Sequence, residues 1–268
     1  MKLTIIGAGK MGEALGRGIL QSGQVTPANL TFTDIAQERV QTLATELGVT
    51  AAGNNIDAVR DATLVILAVK PQYVVDVCQQ IAPALPSGTT VLSIAAGITL
   101  TQLAAALDRE DLALARAMPN TPCLVNAGAI GLSFAGEASA KIRDTVRNLL
   151  APTGLVEEVP ESQMNAVTGL SGSGPAYIAL LIEALTDGGV LMGLPRTQAQ
   201  QLATQTVFGT AKLILETSLH PALVKDAVSS PGGTTIAGIA ALEEAGFRHA
   251  AITAIRAATM RANALSGE

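Results

Sequence analysis

Short apolar runs and helical periods alternate along the first part of the chain. "LTII" begins at Leu3, "LTFT" at Leu30, "LVILAV" at Leu64, "TVLSI" at Thr90 and "LALARAM" at Leu112. Runs of this length, rich in aliphatic and β-branched side chains, read as strands covered on both faces. Between them, Ala36 to Glu46 and Gln72 to Ile81 set apolar residues three and four apart with polar residues opposite, which reads as amphipathic helix. Strands alternating with helices predict βαβ units and a mostly parallel sheet. Two further strand-like pieces, "AIGLSF" from Ala129 and "LVEEV" from Leu155, flank a charged helix over Lys141 to Leu150.

The β signal stops near Glu161. Gly174 to Met192, Arg196 to Glu216, Pro221 to Val228, Thr235 to Glu244 and Phe247 to Leu265 read as helices. Several are apolar nearly all round, "AYIALLIEALTDGGVLMG" from Ala176 above all, and such a helix must be covered on every side. About a hundred residues of this kind cannot cover themselves, so the pattern predicts interlocking with a second copy. The expected organisation is an α/β sheet domain over 1–160 followed by an all-α domain over 161–268. No internal repeat or low-complexity tract interrupts it.

Composition narrows the function. A hydrophobic content of 49% with 15% charged residues again points to an oligomer. A net charge of −5, no dense Lys/Arg run and few aromatic side chains give no footprint for nucleic acid. The longest apolar stretches are strand-sized, and "AYIALLIEAL" is interrupted by Glu183, so no membrane span is expected. A first strand at Leu3 leaves no room for a leader and implies a cytoplasmic protein. Cys78 and Cys123 lack ligand spacing, and His220 and His249 are the only histidines, so neither a disulfide nor a metal site is expected.

The chemistry begins at "LTIIGAGKMG". Gly7, Gly9 and Gly12 stand in G-x-G-x-x-G spacing, after a strand and at the start of a helix carrying Leu15 and Ile19. The first glycine permits the tight turn, the second lets backbone approach a pyrophosphate, and the third lets the helix pack closely. Ala8, Lys10 and Met11 complete this loop, whose helix N-terminus offers free N–H groups to phosphate. This is the dinucleotide-binding signature of a Rossmann-type domain. Asp34 follows Gly12 by 22 residues at the end of the second strand, where it would accept from the adenosine ribose hydroxyls and favour NADH. Arg39 or Lys10 could instead offset it and admit NADPH, or Asp34 could merely cap the next helix. Strand ends at Val69, Lys70, Pro71, Ala95 and Ala96 should line the cofactor crevice.

"SSPGGTT", 229 to 235, puts a proline and two glycines between helices, more than a simple break requires. It supplies an exposed turn whose glycines let the backbone come close, and the N–H groups of the helix start, with hydroxyls from Ser230 and Thr234, would make an anion site. The alternative is that Ser230 and Thr234 only cap the helix. Together with "MPNTP" at 118 and "GLSGSGPAY" at 169, in that order, these motifs resemble pyrroline-5-carboxylate reductases over essentially the whole chain. The resemblance implies reduction of 1-pyrroline-5-carboxylate to L-proline by NADH or NADPH, without a metal. It also implies a homodimer interlocked through the helical domain, with higher rings such as a decamer. It places Asn55 and Asn120 near the cofactor, and Ser230, Gly232, Gly233, Thr234 and Thr235 in a substrate loop, Thr235 beside the ring nitrogen. An acid and an amide that some relatives carry at the positions of Ser218 and Ala227 are absent here.

Within "GSGPAY", Ser171 to Gly174 should turn tightly into a long helix near the nicotinamide, with Tyr177 structural. Two rivals stand beside this reading. A 3-hydroxyacid dehydrogenase would need a basic lysine in the long helix after Gly174, and "GPAYIALLIEALTDGG" contains none. A non-catalytic nucleotide-binding regulator would not need hydroxyls and glycines intact in both clusters.

Overall fold

Side-chain alternation across the central strands fixes what must lie on each face. The structure is a computed structural model and describes residues 1–267. In it β1 (Leu3–Ile6) buries all four residues, Leu3 and Ile5 entering one apolar core and Ile6 another. β4 (Leu64–Leu67) divides likewise: Leu64 and Ile66 join the first core, Val65 and Leu67 the second. The first core is closed by α1 (Lys10–Gln21), α2 (Gln37–Leu47) and α6 (Ala140–Leu150), through Leu15, Leu43 and Leu149 among others. On the other face α4 (Val74–Ile81) and α5 (Leu100–Leu107) supply Val74, Cys78, Leu103 and Leu107, and the short α3 (Asn55–Val59) adds Val59.

The remaining strands are β2 (Leu30–Thr33), β3 (Thr50–Ala51), β5 (Thr90–Ser93), β6 (Ala113–Met118), β7 (Gly128–Phe134) and β8 (Gly154–Glu158). The sheet runs in the order β3-β2-β1-β4-β5-β6-β7-β8. All pairs are parallel except β6 with β7, where Arg116 faces Ser133. The strands read from the sequence lie within a residue or two of these bounds. β3, α3 and α5 were not among the elements the pattern predicts, although Thr99 and Gln102 form a reciprocal capping box at the start of α5.

Two compact units divide the chain. One comprises Met1–Ser173 together with the residues from Ala257 onward, and the other is Gly174–Arg256. Residues 161–173 and the C-terminal tail thus pack with the sheet-bearing unit. Burial accounts for this: Met164 and Asn165 of α7 (Met164–Val167) are buried, and Asn165 Nδ2 donates to Ser266 Oγ at 3.0 Å. The anticipated turn before the long helix is different. A π-helical turn, Thr168–Gly172, carries α7 into α8 (Gly174–Leu191) as part of one helical run, Glu161–Leu191.

That run corrects another expectation. By length and composition it is apolar enough to cross a membrane: an 18-residue window within it reaches a mean hydropathy of 1.2, because its few acidic side chains do not outweigh their neighbours. In the second unit α8 pairs with α9 (Arg196–Thr217): a Cβ at Gly189 would come within 3.0 Å of the Ala199 Cβ, and Arg196 pairs with Asp187 at 2.8 Å. α10 (Pro221–Ala227), α11 (Thr234–Glu244) and α12 (Phe247–Ser266) follow. Among the described residues of this unit only Thr186, Ala199 and Ala203 are buried, while Leu191 is 84% and Met192 82% exposed.

Both cysteines are free thiols in the apolar cores of the first unit. Burial pushes the Cys78 thiol up to about 12 and raises Cys123 as well, because the low-dielectric surroundings disfavour the thiolate. The folded protein should therefore resist an aromatic disulfide reagent at pH 8 and release two thiols per chain only in denaturant. Stoichiometric labelling of the native protein, followed by absorbance, would contradict this placement.

Candidate functional site

The Gly7–Gly12 loop is shaped from beneath and left bare above. Gly7 adopts φ +111°, and a Cβ there would fall 2.5 Å from the Ala68 carbonyl oxygen. A Cβ at Gly12 would fall 2.1 Å from the Gly7 carbonyl oxygen, so the protein's own packing demands both glycines. Gly9 differs: nothing lies within 4 Å of its Cβ position. It is the N-cap of α1 and brings no side-chain bond, so the first amides of that helix remain available to an anion. Bareness at Gly9 is what a close-lying pyrophosphate requires.

Asp34 holds this loop. Its carboxylate accepts from Ala8 N at 2.6 Å and from Ala36 N at 2.9 Å, while Gly7 N donates to the Thr33 carbonyl at 2.8 Å. A carboxylate has room for about four hydrogen bonds, so this leaves acceptor positions for a ligand. Arg39, weighed above as an offset to Asp34, pairs instead with Glu13 of α1. Lys10 is exposed.

A cleft of about 610 Å³ opens beside the loop and brings together Gly7, Gly9, Asp34, Asn55, Val69 and Lys70. Asn55 Oδ1 accepts from Thr33 Oγ1 at 3.2 Å and its Nδ2 donates to Gln80 at 2.9 Å, which fixes the amide at the wall. Seven lining residues are not among those the sequence pattern predicts: Ile6, Ile35, Ala68, Tyr73, Asp76, Val77 and Gln80. Ile35 is 96% exposed, an apolar side chain set directly after Asp34 at the mouth of the cleft. An isoleucine following the acid at a strand end was the available signal.

Other expected cofactor residues fall outside this lining. Met11 packs against the first core, Ala95 is buried, Pro71 starts a turn of 3₁₀ helix, and Ala96 is half-buried. Asn120 also lies outside the lining of this cleft. Its side chain is buried, Nδ2 donates to the Ser171 carbonyl at 3.0 Å, and Oδ1 accepts from Ala129 N at 2.9 Å. A π turn leaves helical carbonyls poorly matched, and Asn120 supplies a donor to one of them. Asn120→Ala would strand both backbone groups at about 1–3 kcal/mol each. Denaturant unfolding should register a loss of that size, and unchanged stability would show that the amide is dispensable.

The second cluster lies in the other unit. Ser230 O accepts from Gly233 N at 3.0 Å, closing a turn with Pro231 second and Gly232, at φ +65°, third, the signature of a type II turn. Ser230 Oγ sits 2.3 Å from where a Cβ on Gly233 would be, so no larger residue fits there. α11 then begins at Thr234 on Gly233, with no side-chain cap. The capping alternative for Ser230 and Thr234 is therefore not realised. Thr206, Thr210, Thr217 and Ser229 spend their hydroxyls on carbonyls four residues back. Thr234 and Thr235, in the first turn, have no such helical carbonyl. Among the described residues the hydroxyls of Ser230, Thr234 and Thr235 carry no hydrogen bond, and Thr235 is half-buried. No group of three or more metal-ligating side chains occurs among the described residues.

Residues 161–265 match the family model for pyrroline-5-carboxylate reductase dimerisation, and residues 2–97 match one described as NADP oxidoreductase, coenzyme F420-dependent. A pyrroline-5-carboxylate reductase of Methanosarcina acetivorans is 43% identical over 98% of this chain and 97% of its own length. The solved structure of a pyrroline-5-carboxylate reductase from Coxiella burnetii superposes with a TM-score of 0.94 at 34% identity, covering 99% of this chain and 98% of that one. A pyrroline carboxylate reductase from Plasmodium falciparum, solved with NADP bound, gives 0.88 at 29% identity, with coverages of 99% and 98%.

Proposed function

The chain belongs to the pyrroline-5-carboxylate reductase family, and we propose that its Gly7–Gly12 loop holds the cofactor while residues 230–235 hold the substrate acid. The enzyme is an NAD(P)H-dependent oxidoreductase that reduces 1-pyrroline-5-carboxylate to L-proline, the last step of proline biosynthesis. Reduction adds a hydride to the imine carbon and a proton to the ring nitrogen, and the bound nicotinamide supplies the hydride.

The chain's own task is positioning. The uncapped start of α11 presents amides to the substrate carboxylate, with the hydroxyls of Ser230 and Thr234 beside them and Gly232 and Gly233 allowing close approach. No arginine is required. Thr235 donates to or accepts from the ring nitrogen and orients the imine; relay of a proton is secondary, since a threonine hydroxyl is a weak acid. Orientation of this kind contributes several kcal/mol of barrier lowering, about 7–11 in well-aligned model systems. The observation that carries this reading is the set of three unspent hydroxyls around a glycine-initiated helix. Thr235→Ala should lower turnover well beyond tenfold while circular dichroism and the dimer stay intact; near-normal turnover would remove Thr235 from the mechanism.

At the cofactor, Gly7, Ala8, Gly9, Lys10, Met11 and Gly12 serve through the backbone turn, and Asn55, Val69, Lys70, Pro71, Ala95 and Ala96 through the strand ends. Asn120 acts by holding Ser171. NADH is the preferred reductant: Asp34, fixed by two amides at the cleft wall, repels a ribose phosphate, and Arg39 is engaged elsewhere. Steady-state rates with each reductant should favour NADH in kcat/KM, and a strong NADPH preference would strip Asp34 of this role. The protein is a homodimer through its helical region. A ring such as a decamer is the assembly we infer from the breadth of apolar surface left on α8 and α9.

A further inference from the structure

Four charges tie the first two helices of the sheet domain together. Glu13 of α1 accepts from Arg39 of α2 through one carboxylate oxygen and from Arg17 Nε at 2.8 Å through the other. Arg17 in turn reaches Glu46 of α2 at 2.5 Å. Glu13 is well covered, with 19% of its side chain exposed, whereas Arg39 is 43% exposed.

The position of this chain of charges matters more than its strength. Glu13 lies one helical turn beyond Gly9, with Glu13 N donating to the Gly9 carbonyl at 2.9 Å. Arg39 lies one turn beyond Ile35 and Ala36, with Arg39 N donating to the Ala36 carbonyl at 2.9 Å. Gly9, Asp34 and Ile35 all line the cofactor cleft. Arg39 thus stands on the first turn of α2, close in the chain to the cleft residues Asp34 and Ile35, while its guanidinium is held on Glu13 and is not part of the cleft lining. A guanidinium is the group suited to a 2′-phosphate, which it grips with two parallel bonds.

We propose that Glu13 determines reductant selectivity by withholding Arg39 from a phosphorylated ribose. An arginine near the acid at the end of β2 would ordinarily admit NADPH, and here it is already committed to a carboxylate. A 2′-phosphate beside Asp34 must break the Glu13–Arg39 pair to gain that arginine as a partner. Glu13 acts through Arg39 and is a specificity-determining residue, not a catalytic one. Removing its charge leaves Arg17 still paired with Glu46, so the two helices stay tied.

This inference rests on the assignment of the cleft to the cofactor. The test is calorimetric titration of the full-length dimer with NADPH and with NADH, using wild type, Glu13→Gln, Arg39→Gln and the double variant. Glu13→Gln should tighten NADPH about tenfold, the scale of one charge-assisted contact, and shift NADH far less. The gain should vanish in the Arg39→Gln background. An unchanged NADPH-to-NADH affinity ratio in Glu13→Gln overturns the proposal. So does a gain that survives without Arg39, because simple relief of repulsion would then explain it. Glu13→Ala, checked by thermal unfolding, repeats the measurement if the glutamine finds a new partner. The wild-type preference itself is read separately: tighter NADPH binding there would refute the role of Asp34, while the ratio change on mutation still decides that of Glu13.

Discussion

The function of this protein depends on helix starts that are left without caps. The first amides of a helix have no partner inside it and must find one elsewhere. α3, α5, α6 and α10 find theirs in the side chains of Asn54, Thr99, Ser139 and His220. α1 and α11 begin instead on glycines, Gly9 and Gly233, with no side-chain bond. At Gly9 the space above the backbone is open, and at Gly233 a serine hydroxyl occupies it. The first arrangement suits the broad face of a pyrophosphate, the second a small carboxylate. α2, α4 and α9 also start without a side-chain cap, but on Ala36, Tyr73 and Pro195; only α1 and α11 combine an uncapped start with a glycine among these.

Much of this was legible in the residues themselves. Strand positions follow from short aliphatic runs because strands buried on both faces tolerate little else, and the five late helices end where Gly, Pro or Ser interrupt them. The glycine loop was legible because each glycine answers a separate steric demand. What stayed hidden depends on partners distant in sequence. β3 has two residues and exists only by pairing with Thr31 and Phe32. Asn120 reads as a candidate ligand in "MPNTP", and nothing local shows that its Nδ2 donates to the Ser171 carbonyl, 51 residues away. The return of the C-terminal tail to the first unit rests on contacts such as Asn165 with Ser266, 101 residues apart, which leave no local trace. Arg39 could be seen as a possible neighbour of Asp34, but nothing in sequence spacing pairs it with a glutamate on another helix.

The π turn over Thr168–Gly172 belongs to the same class. Glycine at 172 accommodates Met118, whose Cε lies 2.7 Å from where a Cβ would stand. Thr168 and Ser171 bond carbonyls four residues back, at Met164 and Val167. "GLSGSG" therefore reads as a motif for chemistry but is held by packing and by Asn120. Its small residues predict a tight turn because such residues serve turns and close helix contacts alike.

The helical unit carries a consequence for how the enzyme comes into being. α8 and α9 meet through Gly189 and Ala199, small residues that leave the larger ones, Leu180, Leu191 and Leu202, facing outward. A newly synthesised protomer would emerge with this surface uncovered and would be vulnerable to aggregation until a twin arrives. Maturation is then a bimolecular event, faster where the chain is abundant, and the resistance of the finished enzyme to unfolding scales with its own concentration.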